Sequence, residues 1–224
     1  MGEPCVQDIG FRQNIARHIS KNRATSVTLE KLEELRADEW CVSEKADGIR
    51  HILIALPNGE CHLVSPYLPE RKSVRLNWKF ESPDQQLCLV LDSELVQTKV
   101  GVEVLLLFDV LLYAFMPTSH DRVLWWIPTP CIMARMDMLN ECMQFFKPIV
   151  PLWSNIRLVQ KRHVPLSRWR DVIKDNIVDT YPYDIDGFIF TSTASYQCES
   201  GELTQPRCYK WKPWDRITID LRCE

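Results

Sequence analysis

Apolar positions along this chain follow two different periods. "WCVSEK" (40–45) predicts a strand. "RHILIAL", "PNGE" and "CHLVS" predict strand, turn and strand, with Asn58-Gly59 as the hairpin signal. "LCLVLDSELV" and "EVLLLFDVLLY" predict two further strands, bounded by "SPDQQ" and "QTKVG". The period then changes. Ile132, Met136, Leu139, Met143 and Phe146 step by four, three, four and three, which predicts an amphipathic helix with a Met-rich core face. "TLEKLEELRADE" predicts an earlier helix, with Thr28 as N-cap and Leu29, Leu32 and Leu35 on one face. "LSRWRDVIKDNIVD" predicts another, with Ser167 as N-cap and Trp169, Ile173 and Ile177 facing inward. Strands resume with "DGFIFTS", "RCYKWK" and "RITIDLR".

Strand runs with a few inserted helices predict an α+β fold, mostly antiparallel. There is no internal repeat and no low-complexity segment. Residues 1–20 read as a tail or peripheral helix, and residues 21–224 as one domain. The most apolar run, residues 100–116, contains Glu103 and Asp109 and is shorter than the ~20 residues a membrane span needs. It predicts a buried strand, and no membrane partner is expected.

Composition narrows the class without naming a function. The chain has 224 residues, 46% hydrophobic and 25% charged, which suits a globular domain with a sizeable core. A formal charge of -3 argues against a broadly basic, nucleic-acid-coating surface, but allows a local phosphate pocket. Nine cysteines without any C-x-x-C pair do not form a zinc pattern. The odd count and the absence of an apolar leader in "MGEPCVQDIG" predict reduced thiols in the cytosol or nucleus. The N-terminus also lacks the hydroxyl residue expected for myristoylation.

Four stretches at predicted strand ends could carry chemistry: "EKADGIR" with Lys45, Asp47, Gly48 and Arg50; "LDSEL" with Asp92 and Glu94; "LFDVL" with Phe108 and Asp109; and "DIDGFIF" with "YKWKP", carrying Asp186, Lys210 and Lys212. They suit one task. A lysine attacks only as the neutral amine, a form that neighbouring cations and partial burial favour. Lys210 and Lys212 alternate with Trp211, so a strand turns both lysines to one face, where they can bind phosphate oxygens beside Lys45. Carboxylates at Glu94 and Asp186 could hold a hydroxyl or a divalent metal that bridges phosphates. Phe108 could stack on a base. Each stretch alone is more often structural, since Asp-Gly is common in turns and a Phe in an apolar run is usually core. Their occurrence together and in this order is the informative observation.

In that order the stretches resemble the covalent nucleotidyltransferase superfamily of mRNA capping guanylyltransferases, DNA ligases and RNA ligases, over roughly residues 24–222. "CVSEKADGIRHIL" and "DGFIF…CYKWKPWDRITIDL" are most similar to the capping enzymes, because W-K-P followed by a T-[IV]-D step is a capping form. The resemblance implies an adenylation-type α+β domain binding nucleotide between antiparallel sheets. It implies Lys45 as the nucleophile that forms a phosphoramide bond to GMP, with Asp47 and Gly48 as its supporting turn. Arg50 would contact ribose, Glu94 would hold ribose or metal, Phe108 would stack on guanine, Asp186 would help place the metal, and Lys210 with Lys212 would grip the α-phosphate. GTP would be the substrate, Mg²⁺ or Mn²⁺ the metal and 5′-diphosphate RNA the acceptor. RNA triphosphatase, methyltransferase and RNA polymerase would be the partners, in the nucleus or at a viral replication site in the cytoplasm.

Three departures accompany the resemblance. "DSE" stands where the family has D-G-E, with Ser93 for glycine. "HLVSPYLPERK" stands where an Asp-Arg pair is expected, with Ser65-Pro66 there and Arg71 or Arg75 as stand-ins. No counterpart of the C-terminal OB-fold and its final basic motif follows "KWKP", which implies that the first step depends on a domain this chain lacks. Two other readings therefore stand beside the guanylyltransferase: an ATP-dependent polynucleotide ligase, and a non-catalytic relative that binds nucleotide, RNA or a capping or transcription subunit.

Overall fold

The computed structural model describes residues 24–65, 72–74, 77–78, 85–117, 131–147, 156–172, 181–195, 197–199, 202–204 and 207–213. Along the chain these form β1 (Thr25–Ser26), α1 (Leu29–Glu33), β2 (Trp40–Ala46), β3 (Ile49–Ala55), β4 (Cys61–Val64), β5 (Lys72–Val74), β6 (Asn77–Trp78), β7 (Gln85–Gln97) and β8 (Glu103–Pro117). Next come α2 (Ile132–Met143), β9 (Phe146–Lys147), β10 (Arg157–Gln160), β11 (Val164–Pro165), a 3-10 turn (Leu166–Arg168), β12 (Ile185–Ser192), β13 (Gln197–Glu199), β14 (Glu202–Thr204) and β15 (Cys208–Trp211).

Two larger sheets dominate, in an α+β arrangement. One has the order β1-β15-β12-β2-β11 and the other β10-β8-β7-β3-β4-β5. Pairing is antiparallel throughout them, except that β1 runs parallel to β15 and β10 parallel to β8. The near-continuous apolar runs of β7 and β8 are explained by burial on both faces. Leu87, Leu89 and Leu91 join one cluster with Ile132, Met136 and Leu139 of α2, whereas Cys88 and Val90 join Ile52, Ile54 and Leu112 in another. A third cluster, built on Trp40, Val42, Phe188 and Phe190, covers one face of the five-stranded sheet, with Leu32, Leu35 and Trp211 packed on it.

The expected 57–60 hairpin forms. Gly59 takes a positive φ of 89°, which its lack of a Cβ permits, and Asn58 Oδ1 accepts from the Glu60 N–H at 3.0 Å. Most of the 100–116 run forms the predicted strand, β8, in the body of the six-stranded sheet, but the strand starts only at Glu103 and Val100 before it is 85% exposed. Among the described residues no helix is long and apolar enough to cross a membrane.

Several local expectations need correction. α1 does begin at Thr28, whose hydroxyl accepts from the Lys31 N–H at 3.4 Å, but Leu29 is 57% exposed and only Leu32 and Leu35 reach the core. A helix of five residues is too short to turn three leucines inward. α2 ends at Met143, because Phe146 is drawn into a two-residue pairing with Trp78, whose ring lies 5.1 Å from it. Ser167 is not an N-cap: it lies inside the 3-10 turn, which leads into helical residues 169–172, and Trp169 is 40% exposed while Val172 is the buried member. Residues 1–20, Pro66, Arg71, Arg75, Ile173, Ile177 and the "RITIDLR" strand lie outside the described residues.

Two Asp-Gly pairs stand where backbones come closest. β2 and β3 do not pair with each other; they belong to different sheets, and Asp47-Gly48 carries the chain across. A Cβ on Gly48 would sit 2.6 Å from the Leu95 carbonyl oxygen and 2.6 Å from Val96 Cγ1. At Gly187 φ is 151° and a Cβ would lie 2.0 Å from the Trp211 carbonyl oxygen. Gly187 is also the register partner of Lys45, at a bulge in the β12–β2 pairing. Gly187→Ala is therefore expected to destabilise the fold by roughly 3 kcal/mol through backbone strain and overpacking. Urea unfolding checks this, and a loss below ~1 kcal/mol would contradict it.

Candidate active site between the two sheets

Strand alternation and one bulge build this site. β2 turns Ser43 and Lys45 toward a pocket of about 280 Å³ and turns Trp40 and Val42 to the opposite core. Lys210 on β15 lines the same pocket, while Trp211 packs outward against Phe188, with ring centroids 6.0 Å apart. Arg50 and Glu94 enter from the other sheet as direct cross-strand partners. Phe108 enters through irregular pairing: Asp92 opposes Asp109 and Ser93 opposes Leu107, so Phe108 is the extra residue of a β-bulge. That bulge turns Phe108 to the pocket while Leu107 and Val110 on either side stay in the core.

The structure brings Lys45, Arg50, Glu94, Phe108 and Lys210 to one pocket and joins Asp186 and Lys212 to Lys45 through ion pairs, but the contacts differ in detail from expectation. Lys45 Nζ lies 2.7 Å from Asp186 Oδ1, and Lys212 Nζ lies 2.5 Å from Asp186 Oδ2. A carboxylate thus sits between the two ammonium groups that were expected to act on each other directly. Asp47 is exposed and acts through its backbone, its N–H donating to the Asp184 carbonyl at 2.9 Å.

Arg50 is held in a forked grip by buried Asp92, through Nε to Oδ1 at 2.9 Å and through Nη2 to Oδ2. Ser93 is accommodated because its hydroxyl donates to the His51 carbonyl at 2.8 Å, tying β7 to β3. Ser65 is buried, and the rest of the expected Asp-Arg region lies outside the described residues.

Several residues of the site carried no sequence signal. Lys161 follows β10, with its N–H donating to the Leu107 carbonyl at 2.7 Å. Its ammonium is buried 3.8 Å from Glu94 Oε2, 4.0 Å from Glu44 Oε1 and 5.7 Å from the Phe108 ring centroid. Tyr183 donates to Glu44 Oε1 at 3.1 Å. Burial raises the pKa of both Glu44 and Glu94, and Lys161 opposes that rise in each. Behind Phe108, Asp109 accepts from Arg135 Nε at 2.7 Å and from Nη2 at 3.2 Å, and from the Val110 N–H at 2.8 Å. Arg135 is fully buried in α2. Arg135 carried no signal, because the helical period singles out only the apolar positions of α2. The free thiols of Cys41, Cys61, Cys88 and Cys142 are each pushed up to about 12 by burial and are inert.

Among the described residues no group of three or more His, Cys, Asp or Glu side chains could hold a metal. Glu94 and Asp186 are two nearby carboxylates that influence one another. This donor set suits Mg²⁺ or Mn²⁺ bound largely through water and substrate phosphates rather than by a closed protein cage.

Lys45, Lys161 and Lys210, an arginine clamped by a buried carboxylate and an aromatic ring line one pocket, an arrangement with the cations to receive an anionic ligand and an amine at its wall. The family model for the mRNA capping enzyme catalytic domain matches residues 22–214. The chain belongs to the mRNA capping enzyme catalytic domain family. A curated relative, the mRNA-capping enzyme subunit alpha of Neurospora crassa, is 25% identical over 241 residues, covering 96% of this chain. The chain spans about 57% of that relative's length. Among solved structures, the ligase domain of M. tuberculosis LigD is similar with a TM-score of 0.46 at 16% identity, covering 84% of this chain and 57% of that one.

Two expectations concern the buried charges of this capping-family domain. Asp109→Ala removes the carboxylate that accepts from Arg135 Nε and Nη2 and is expected to cost roughly 3–5 kcal/mol in urea unfolding, whereas Asp109→Leu with Arg135→Met recovers most of that loss. The folded-state pKa of Glu44 lies above its ordinary value of 4.5, so the folded protein binds the proton more tightly than the unfolded chain. The contribution of Glu44 to stability therefore falls as pH rises upward from about that value. Glu44→Gln removes this slope, so its stability relative to wild type is expected to improve as pH rises above about 4.5. A pH-independent difference would contradict the assignment.

Proposed function

We propose that this domain carries the guanylyltransferase chemistry of mRNA capping, with Lys45 as the nucleophile. The observation that carries the reading is Lys45 Nζ in one pocket with Lys210, Arg50 and Phe108, and 2.7 Å from an Asp186 carboxylate shared with Lys212. In the first step the Lys45 amine attacks the α-phosphorus of GTP. A P–N bond forms, the bond to the bridging oxygen breaks, pyrophosphate leaves and the amine gives up a proton. In the second step a terminal oxygen of a 5′-diphosphate RNA attacks the same phosphorus. The P–N bond breaks, GMP passes to the RNA and Lys45 regains its proton.

The residues divide this work. Lys210 and Lys212 neutralise phosphate oxygens as negative charge builds on them. Asp92 fixes the Arg50 guanidinium so that it presents a preset donor edge to the ribose. Phe108 offers a stacking face for the base. A divalent cation held by Glu94 and Asp186 would supply charge neutralisation for the leaving pyrophosphate. Asp186 must release Lys45 before the amine can attack, and arriving phosphates draw Lys212 away from the same carboxylate. Such an enzyme acts on RNA ends already trimmed by a triphosphatase, beside a methyltransferase and a polymerase, in the nucleus or at a cytoplasmic viral replication site. Assembly with other chains is consistent with the relative's being called a subunit.

Mass spectrometry after incubation with GTP and Mg²⁺ or Mn²⁺ tests the reading. The expected result is one added GMP mapped to Lys45 and absent from Lys45→Ala. A parallel incubation with ATP separates the readings: an adduct from ATP alone selects the ligase. GTP bound without any adduct, even with the remaining portion of the capping relative supplied, selects a binding subunit.

A further inference from the structure

Among the described residues β10 is an outermost strand of the six-stranded sheet and β11 an outermost strand of the five-stranded sheet, and only residues 161–163 separate the two along the chain. Open edges of both sheets therefore meet on one side of the domain. Lys161 and His163 line the pocket, while Arg162 between them is exposed. The short link is thus pocket wall on its inner side and protein surface on its outer side.

That surface has a composition of its own. Within residues 156–172 the basic side chains are Arg157, Lys161, Arg162, Arg168 and Arg170, against Asp171 as the sole acidic one, in a chain whose formal charge is -3. All four arginines are exposed. β11 runs into the 3-10 turn, which is anchored in the core cluster of Trp40 and Val42 by Leu166 and Val172. Trp169, whose N–H donates to the Leu166 carbonyl, stays 40% exposed, with the Arg170 guanidinium 5.4 Å from its ring centroid. Arg168 Nε donates to Asp171 Oδ2 at 2.9 Å, an exposed pair that adds little to stability and occupies only part of the guanidinium's five donors.

Guanidinium groups and an aromatic face along one stretch of surface suit single-stranded nucleic acid. The cations meet backbone phosphates, and the ring stacks on a base whatever its sequence. An acidic peptide would satisfy the arginines, but it gives no reason for the strip to begin at the pocket wall.

We propose that this basic edge, from Arg157 and Arg162 beside the pocket wall to Arg168, Trp169 and Arg170, is the binding track for the single-stranded RNA whose 5′ end enters the pocket, with Trp169 as a stacking platform for one of its bases. The inference rests on the RNA-end reading above and goes beyond it by assigning the surface that holds the body of the acceptor. It also reconciles an acidic chain with a polyanionic partner, because the positive charge is concentrated where the strand leaves the pocket.

Fluorescence anisotropy with a 3′-labelled, 5′-diphosphate RNA of about ten nucleotides, a length within the usual site size, tests it without covalent chemistry. Wild-type affinity is expected to fall as salt rises. Arg168→Gln with Arg170→Gln is expected to weaken binding about tenfold and to flatten the slope of log affinity against log salt by about 1.4, the value for two phosphate contacts on a single strand. Trp169→Ala is expected to weaken binding about tenfold with the slope nearly unchanged, and Trp169→Phe, which keeps a stacking face, to recover most of that loss. Calorimetric GTP binding is expected to be the same in every variant, since none of these residues lines the pocket. A thermal melt shows whether each variant is folded.

No RNA binding by the wild type overturns the inference, as does unchanged RNA affinity in the folded Trp169→Ala or double-arginine variant. A phosphoserine peptide that binds more tightly than RNA and is lost in the same variants assigns the edge to a protein partner, and that also overturns it. Each of these results leaves formation of the Lys45 adduct, and the functional reading, standing. Absence of both GTP binding and the Lys45 adduct in the wild type overturns the functional reading and this inference with it.

Discussion

The crossing at Asp47-Gly48 is the constraint on which the rest of the structure depends. β2 ends in one sheet and β3 begins in the other, with two residues between them. There is room for no side chain at Gly48, because the chain passes within contact of Leu95 and Val96 of β7. That close passage places Lys45 at the end of one sheet and Arg50 at the start of the other, facing a common pocket. Gly187 does the complementary job on the far side of Lys45. It lets β12 approach the backbone after Trp211, which brings Asp186 and Lys212 to the Lys45 amine. The two glycines are therefore part of the chemistry, although neither carries a functional group.

Charge is then distributed so that Lys45, Arg50 and Lys161 are each restrained by a carboxylate behind or beside them. Asp92 holds Arg50 from the buried side and so fixes the position of its guanidinium at the pocket. Glu44 and Glu94 flank Lys161 at distances beyond direct hydrogen bonding, so the ammonium keeps donors to offer. Two buried carboxylates around one ammonium are costly, and their raised pKa values record that cost. Asp109 and Arg135 show the other solution, a buried pair satisfied by direct bonds, and it braces the bulge that turns Phe108 inward. A nearly neutral chain can in this way present a cationic pocket without a cationic surface.

Much of this was legible in the sequence, and the exceptions have physical causes. Strand periodicity located β2, β3, β4, β7 and β8, and the alternation of Lys210 with Trp211 correctly separated pocket from core. Motif order brought Lys45, Arg50, Glu94, Phe108, Asp186, Lys210 and Lys212 to one place. Lys161, Glu44, Tyr183 and His163 were illegible because their neighbours come from distant strands, and a lone lysine or histidine has no period of its own. Arg135 was hidden by the opposite effect: a clean helical pattern around it suggested only an apolar face. Leu29 was misplaced because the periodic pattern extends beyond the single turn that actually forms.

The position of Asp186 finally bears on why Lys45, the proposed nucleophile, is kept paired. An isolated amine in a phosphate pocket would be either protonated and unreactive or open to adventitious electrophiles. Asp186 contacts Lys45 and Lys212 through separate oxygens, so the two ion pairs compete for one carboxylate. A phosphate that recruits Lys212 removes one of those partners and adds negative charge beside the carboxylate. Two anions in proximity favour binding of a cation between them, and charge neutralised there would loosen the hold of Asp186 on the Lys45 side chain. On the proposed reading, release of Lys45 is thereby coupled to arrival of the phosphate it would attack, through a residue that itself makes and breaks no covalent bond.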